Sequence, residues 1–313
     1  MVIPNFNGER WLPGVLESVA AQTAAPAEVV VVDDGSTDAS LTLLATRFPH
    51  VRVVARAANG GFARAANDGI GATTADAVAL VNTDVVLDPR WLETARTALE
   101  GHPGAASVAT KLVDLADPEL LYDAGDVLRR DGVCEQRGRF ERDTGAYDEP
   151  GEVFAACAGA ALYRRAALAT AGGFDERLGM YLEDVDLGLR LQLAGWTCRW
   201  EPRAVAAHAG EGSGGGACAQ VERNTLLLVA RAFPLRWLPY VAYRQAAWAW
   251  HAARAGELRT LLAGVRAALP LLPAFARERG AVRARAAVPV ERVVPARPFR
   301  GPRAGGHPSR HAR

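Results

Sequence analysis

The chain has 313 residues, 50% hydrophobic and 23% charged, with a formal net charge of +1, the balance of a globular protein with room for one large domain and an appendage. Cys134, Cys157, Cys198 and Cys218 are far apart and never form Cys-x-x-Cys, which argues against a zinc site or a disulfide framework and for reduced thiols in the cytoplasm. Met1 leads straight into Val-Ile-Pro-Asn, and no uncharged run approaches the ~18 residues that span a bilayer, so neither a signal peptide nor a transmembrane helix is expected.

Val2-Ile3 reads as the stub of a first strand stopped by Pro4, and Trp11, Val15, Leu16 and Val19 have helical spacing. Glu28 to Val32 is a continuous apolar strand of the kind buried on both faces of a parallel sheet. A helix is expected over Asp38 to Phe48 with Asp38 as its N-cap, then a strand at Val51 to Val54, a helix at Phe62 to Ile70 and a strand at Ala77 to Val81. This alternation predicts an α/β fold with a parallel sheet. From 105 to 160 the pattern weakens to short strands and turns such as Arg130-Asp131-Gly132, with a strand over Ala158 to Tyr163. Leu182 to Ala194 reads as a helix with Val185, Leu189 and Leu193 on one face and Gly195 as its stop. Thr197 to Trp200 is a last strand, and 208 to 218 a glycine-rich loop.

The sequence changes character after Asn224. Residues 1 to 225 carry 32 acidic and 20 basic residues, and 226 to 313 carry 3 and 16. We divide the chain into a domain over 1–225, an amphipathic helical extension over 226–280 and a disordered Arg/Pro-rich tail over 281–313. The basic end could meet anionic lipid, nucleic acid or the acidic half of its own chain, or stay a solvated tail. Nucleic acid is the weakest of these, because the tail lacks any recognisable binding fold. Lys111 is the only lysine among 36 basic residues.

Three acidic turns follow apolar strands or open a helix: Val-Asp-Asp-Gly-Ser at 32 to 36, Asn82-Thr83-Asp84, and Leu-Glu-Asp-Val-Asp at 182 to 186. Ligands of open α/β sheets bind beyond the carboxyl ends of the strands, so these turns can converge on a charged, metal-bound substrate such as a nucleotide diphosphate. Asp33 and Asp34 can accept from a nucleobase or ribose, or simply cap a helix. Asp84 suits Mg²⁺ or Mn²⁺ shared with phosphate. Glu183, Asp184 and Asp186 either offset the helix dipole or include a general base. His208, ahead of Gly210, is either structural or a neutral imidazole beside the metal-bound diphosphate.

These blocks, with Asn59-Gly60-Gly61-Phe62, Asn67, Gly172-Gly173-Phe174-Asp175-Glu176 and Tyr181 to Leu187, resemble a family 2 glycosyltransferase of GT-A fold, in its rhamnosyltransferase-like branch. The likeness runs from Val2 to about Asn224. It implies a Rossmann-like nucleotide-binding mixed sheet flanked by helices, and inverting transfer from a dTDP- or UDP-linked sugar to a glycan or lipid-linked acceptor of the cell envelope. By resemblance Pro4, Phe6, Asn7 and Asp34 surround the base, and Asn59, Gly61, Asn67 and Asn82 lie near ribose and diphosphate. Asp84 and His208 hold the metal, Asp184 is the base, and Glu183 and Asp186 shape the acceptor site. Asn82 stands where the family's Asp-x-Asp motif has its first aspartate, and the first strand is short. Those departures keep open a catalytically weak or inactive sugar-nucleotide-binding scaffold. Nucleotidyl transfer lacks its expected Gly-rich, lysine-bearing signature. The helical extension resembles the family's membrane-proximal segment: Trp237, Tyr240, Tyr243, Trp248 and Trp250 interleave with Arg236, Arg244 and Arg254, as in an interfacial helix. The alternative is that these aromatics pack onto protein. The location implied is cytoplasmic, with peripheral attachment to the inner face of the plasma membrane.

Overall fold

A computed structural model describes residues 1–210 and 217–295. The elements in chain order are β1 (Val2–Asn5), α1 (Leu12–Ala20), β2 (Val30–Asp33), α2 (Ser40–Arg47), β3 (Arg52–Ala55), α3 (Phe62–Gly71), β4 (Ala77–Val81), β5 (Val85–Leu87), α4 (Trp91–Glu100) and β6 (Ala105–Asp114). Then follow β7 (Leu121–Asp123), β8 (Asp126–Leu128), β9 (Cys134–Gln136), β10 (Gly151–Val153), β11 (Ala160–Arg164), α5 (Arg165–Ala171), α6 (Glu183–Leu193) and β12 (Thr197–His208). The helices α7 (Ala217–Ala232), α8 (Leu238–Ala255), α9 (Leu258–Ala268), α10 (Leu272–Ala284) and α11 (Val290–Val293) complete the described chain.

The main sheet runs β10-β12-β6-β11-β4-β1-β2-β3, with β5 on β12 and β7 on β6. The strands β1 to β4 are parallel, β11 runs antiparallel between β4 and β6, and β12 pairs parallel with β6. Both faces are covered. Ile3, Val31 and Val81 pack in one core with α1 and α4, whereas Val2, Val30 and Val32 pack in the other with α3, α5 and α6. Successive side chains of β1 and β2 therefore enter opposite cores, which is why both strands read as unbroken apolar runs.

Pro4 does not stop the first strand. Val30 and Asp34 donate to the carbonyls of Met1 and Asn5, so the odd-numbered backbone groups face β2. Pro4 faces β4, where pairing is confined to Val2 with Leu80, so its missing N–H leaves no gap in a ladder. Asp38 lies just ahead of the α2 cap, Ala39; its carboxylate accepts from the Ser40 and Glu9 N–H groups. The weak region hides β6, a ten-residue central strand. Beyond Trp200, β12 continues through a register shift between Glu201 and Val205 that absorbs Pro202. Besides the expected face of α6, Leu187 and Leu191 are buried and pack on the sheet. Lys111, near the end of β6, is buried and ion-paired with Asp143 and Asp148, tying that loop to the sheet.

The chain forms two compact units. Among the described residues the first holds 1–128, 134–210 and 285–288; the second holds 129–133, 217–284 and 289–295. In the second unit α7 packs on α9 and α10. Gly264 makes this possible, because a Cβ there would sit 2.4 Å from the Ala219 carbonyl. Trp237 is a correction to the expected interfacial face: it is buried against Phe233 beneath Arg130. Tyr240, Tyr243 and Trp250 are exposed. No single described helix is long and apolar enough to cross a membrane; α9 and α10 meet that test only together, bent by 61°. Residues 281 to 295, expected in a disordered tail, carry the end of α10 and all of α11, with Val290, Val293 and Val294 buried. The tail from 296 on and the core of the glycine-rich loop, 211 to 216, lie outside the described residues.

Glu222, on α7, is buried, and neither carboxylate oxygen has a hydrogen bond of good geometry. Burial pushes its carboxyl up to about 7, opposed by the Gln245 side chain. The raised affinity means that the folded state keeps a proton the unfolded state has lost, so stability present below the ordinary carboxylate range is lost as pH rises through about 7. Glu222→Gln should match wild type in urea melts at pH 4 and exceed it by about 3 kcal/mol at pH 8. A pH-independent difference would show that Glu222 is hydrated in solution.

Candidate active site

The candidate site is built at the carboxyl ends of β1, β2 and β4. Beyond β1, Asn7 adopts φ 50°; its N–H donates to Ser36 Oγ, and its amide oxygen accepts from the Thr37 N–H. These bonds fasten the β1 turn to the β2 turn. Pro4 is buried, while Phe6 is 48% exposed. Asp33 is buried and accepts from Asn5 Nδ2 and the Ser36 N–H. Asp34 accepts from the Gly60 and Gly61 N–H groups and pairs with Arg56 at 2.7 Å. Its carboxylate thus organises the turn that opens α3.

That turn is clasped to the loop ahead of α6. Asn59 accepts from the Gly61 N–H, and Ala63 donates to the Gly179 carbonyl. Gly61 has φ 89°, and a Cβ there would meet Gly179 Cα at 3.1 Å, so only glycine fits. Asn67 brackets Phe174, donating to its carbonyl and accepting from its N–H, while Arg64 pairs with Glu176. Gly61 and Asn67 therefore have direct roles in joining the two loops, and Asn59 shapes the first of them.

The clasped loop ends in two strained residues. Tyr181 and Leu182 have φ 66° and 62°, a left-handed conformation that costs non-glycine residues roughly 1–2 kcal/mol each. The strain turns the chain into α6 with Glu183, Asp184 and Asp186 in its first turn. Asp184 accepts from the Ala158 N–H at 3.0 Å and from the Val185 N–H at 2.8 Å. Burial raises its proton affinity, against the pull of these donors. Glu183 is buried with Oε2 unbonded, and burial, with the Asp184 charge beside it, holds its carboxyl well above the usual range. Asp186 is fully buried and committed to Arg190 at 2.7 Å; Arg190 also donates to the carbonyls of Ala171 and Gly173.

The third turn meets the others through Cys157 to Gly159. Ala158 donates to Asp184, and the next carbonyl, Gly159, accepts from the Asn82 N–H. A Cβ on Gly159 would lie 3.0 Å from the His208 ring. His208 ends β12 opposite Val85, which brings its Nδ1 within 3.5 Å of Asp84 Oδ2. Burial lowers the His208 pKa, against the attraction of Asp84, and its Nδ1 accepts from the Gly210 N–H. The imidazole is therefore neutral, with its proton on Nε2.

Asp84 Oδ2 is buried without a hydrogen-bond partner. That unbonded oxygen suits a divalent cation, whereas the His208 Nδ1 lone pair already takes the Gly210 N–H and would join a metal only by giving up that bond. Among the described residues no group of three His, Cys, Asp or Glu forms a complete ligand set. Substrate oxygens and water would fill the remaining positions, as suits a cation shared with phosphate.

Tyr122, Asp123 and Asp126 were missed at the sequence level. Tyr122 stacks on His208 with ring centroids 4.2 Å apart. Asp123 and Asp126 are buried; the Asp184 charge acts on both, and that of Asp123 on Asp126. Burial pushes Asp123 up to about 6, opposed by the Gly125 N–H, and raises Asp126 further. The available signal was Tyr-Asp-Ala-Gly-Asp at 122 to 126, two acids around a glycine that here has φ 92°.

The chain resembles known proteins in sequence and in fold. The family model of glycosyl transferase family 2 matches residues 1–172, more than half the chain. Over 215 residues the chain is 32% identical to the N-acetylglucosaminyl-diphospho-decaprenol L-rhamnosyltransferase of Mycobacterium tuberculosis, covering 62% of this chain and 70% of that one. Two solved structures share the fold. GalNAc-T7 with UDP, GalNAc and Mn²⁺ superimposes with a TM-score of 0.62 at 14% identity over 77% of this chain, which spans about half of that one (48%). The mannosyltransferase PcManGT from Pyrobaculum calidifontis, in complex with GDP-Man and Mn²⁺, gives 0.54 at 20% identity over 91% of this chain and 84% of that one. The chain belongs to glycosyl transferase family 2, is rhamnosyltransferase-like, and has the GT-A fold.

Proposed function

We propose that this glycosyltransferase inverts the anomeric centre of a sugar, rhamnose foremost, carried from a dTDP or UDP donor to a hydroxyl of a lipid-linked or glycan acceptor. The carrying observation is Asp184: a carboxylate of raised proton affinity, aimed by the Ala158 and Val185 N–H groups and joined through Gly159 to Asn82 and His208. In this reading Asp184 takes the proton of the acceptor hydroxyl. The freed oxygen attacks the anomeric carbon, and the bond to the nucleoside diphosphate breaks on the opposite face. The clasp holding Gly61 to Gly179 keeps the strained turn, and hence Asp184, fixed toward that attack. Phe6, exposed beyond β1, offers a ring to the base, and Asn59, Gly61, Asn67 and Asn82 border the ribose and diphosphate. Asp84 and His208 would hold Mn²⁺ or Mg²⁺, whose charge when bound offsets that of the departing diphosphate. Glu183, held neutral, fits a hydrogen-bond donor toward the acceptor, whereas Asp186 supports it from behind through Arg190.

The mycobacterial relative, an N-acetylglucosaminyl-diphospho-decaprenol L-rhamnosyltransferase, supports the lipid-linked class. Tyr240, Tyr243 and Trp250, exposed on α8 among arginines, support attachment to an anionic membrane surface on the cytoplasmic side.

A donor panel of dTDP-rhamnose, UDP-N-acetylglucosamine and GDP-mannose, with and without Mn²⁺, tests the reading. Turnover of one donor that stops in EDTA is the expected result. Nucleotide binding with no turnover across the panel would replace it with the scaffold reading, which Asn82 in the Asp-x-Asp position keeps on the table.

A further inference from the structure

We propose that Arg139 is a phosphate-binding residue of this site, placed to take a substrate phosphate through the edge of its guanidinium. The inference rests on the transferase reading above and deepens it by naming a substrate contact.

Arg139 lies just after β9, on the turn that returns toward Leu121. Its guanidinium carbon sits 4.3 Å from the centre of the Tyr122 ring and 4.8 Å from that of Phe140. A guanidinium lying over rings leaves part of its N–H edge free of them. One nitrogen donates to the Gln136 amide oxygen, and the guanidinium also hydrogen-bonds the Tyr122 hydroxyl, which leaves the rest of the edge for a ligand. Among the described residues no carboxylate forms an ion pair with Arg139, although Asp123 and Asp126 lie close enough to feel its charge. Most other arginines of this unit with acidic neighbours are paired with them: Arg56 with Asp34, Arg64 with Glu176, Arg190 with Asp186.

A second observation is backbone strain. Phe140 adopts φ 62° and leaves its ring 49% exposed, the reverse of what folding stability favours in a bulky apolar residue. The strain holds the ring beside the guanidinium. The third observation is position. The Tyr122 ring that carries Arg139 also stacks on His208, which faces Asp84. A cation one aromatic ring away from a candidate diphosphate-binding centre, oriented by stacking and not neutralised by an acid, fits bidentate phosphate recognition. The phosphate could be the donor's diphosphate or a diphosphate that links the acceptor sugar to its carrier.

The test compares wild type, Arg139→Gln and Arg139→Lys. Titration calorimetry with inorganic pyrophosphate should show about tenfold weaker binding to Arg139→Gln, with Arg139→Lys recovering only part because it lacks the fork. If the donor is the source, dTDP and UDP weaken by a similar factor. If the acceptor is the source, nucleotide binding is unchanged; KM for a prenyl-diphosphate-linked sugar then rises about tenfold, and KM for the same sugar as an alkyl glycoside does not. Pyrophosphate and nucleotide affinities and both KM values within twofold of wild type would overturn the proposal. So would equal losses on the phosphate-free acceptor with a lowered Tm, which would mark Arg139 as a packing residue. Should wild type transfer no sugar from any donor, the transferase reading falls, while the pyrophosphate titration still decides the role of Arg139.

Discussion

Asp184→Asn is expected to lower sugar transfer about 10²- to 10⁴-fold while leaving nucleotide binding within a few-fold of wild type, since general-base assistance contributes about that much. The amide keeps an oxygen for the Ala158 or Val185 N–H, so the start of α6 should hold its place. What the variant lacks is basicity. The same chemistry fixes the pH profile of the wild-type enzyme. Burial holds Asp184 protonated to higher pH than an ordinary aspartate, with Asp123 rising to about 6 beside it. The base works only when ionised, so kcat/KM should climb with pH on a limb displaced above the usual carboxylate range. Because these acids interact, the limb reports the cluster and not Asp184 by itself. Undiminished transfer by Asp184→Asn would remove Asp184 from the mechanism.

Arg190→Ala should be the most destabilising single change near the site. It strips the guanidinium paired with a fully buried carboxylate, Asp186, and removes the donors that reach the Ala171 and Gly173 carbonyls. Breaking a buried pair from one side costs about 3–5 kcal/mol, because the remaining charge stays out of water. Urea melts should show the unfolding free energy fall by that amount, through a lower midpoint with little change in slope. The double variant Asp186→Leu/Arg190→Met should recover much of the loss, since it leaves no buried charge behind. A loss below about 1 kcal/mol in the single variant would mean that water reaches Asp186.

The parallel half of the sheet was legible because local sequence and global burial agree there: β2 and β4 are apolar runs ended by acidic turns. Asp34 and Asp84 stand at those breaks and Asp184 at the acidic opening of α6, and they were visible for that reason. Beyond residue 105 the agreement ends. The strand β6 carries Ser107, Thr110 and Lys111 at buried positions, each satisfied by a partner distant in sequence; Thr110, for instance, donates to the Ala160 carbonyl. Such a strand has no period to read. The same holds for Tyr122, Asp123 and Arg139. Their chemistry comes from stacking and crowding that only the folded chain creates. In the other direction, Pro4 looked like a strand breaker and is not, because it faces an unpaired stretch; Pro202, past the expected end of the last strand, sits in a bulge.

Lys111 gives the protein an unusual handle. As the sole ε-amine in the chain, buried and held by Asp143 and Asp148, it is the one lysine that acylating reagents can modify. Its paired state keeps the amine charged and unreactive, so acylation must wait for the 143–148 loop to lift away from the sheet. The rate of acylation at Lys111, read by peptide mapping that separates it from the Met1 α-amine, would therefore clock the opening of that loop, with no engineered probe.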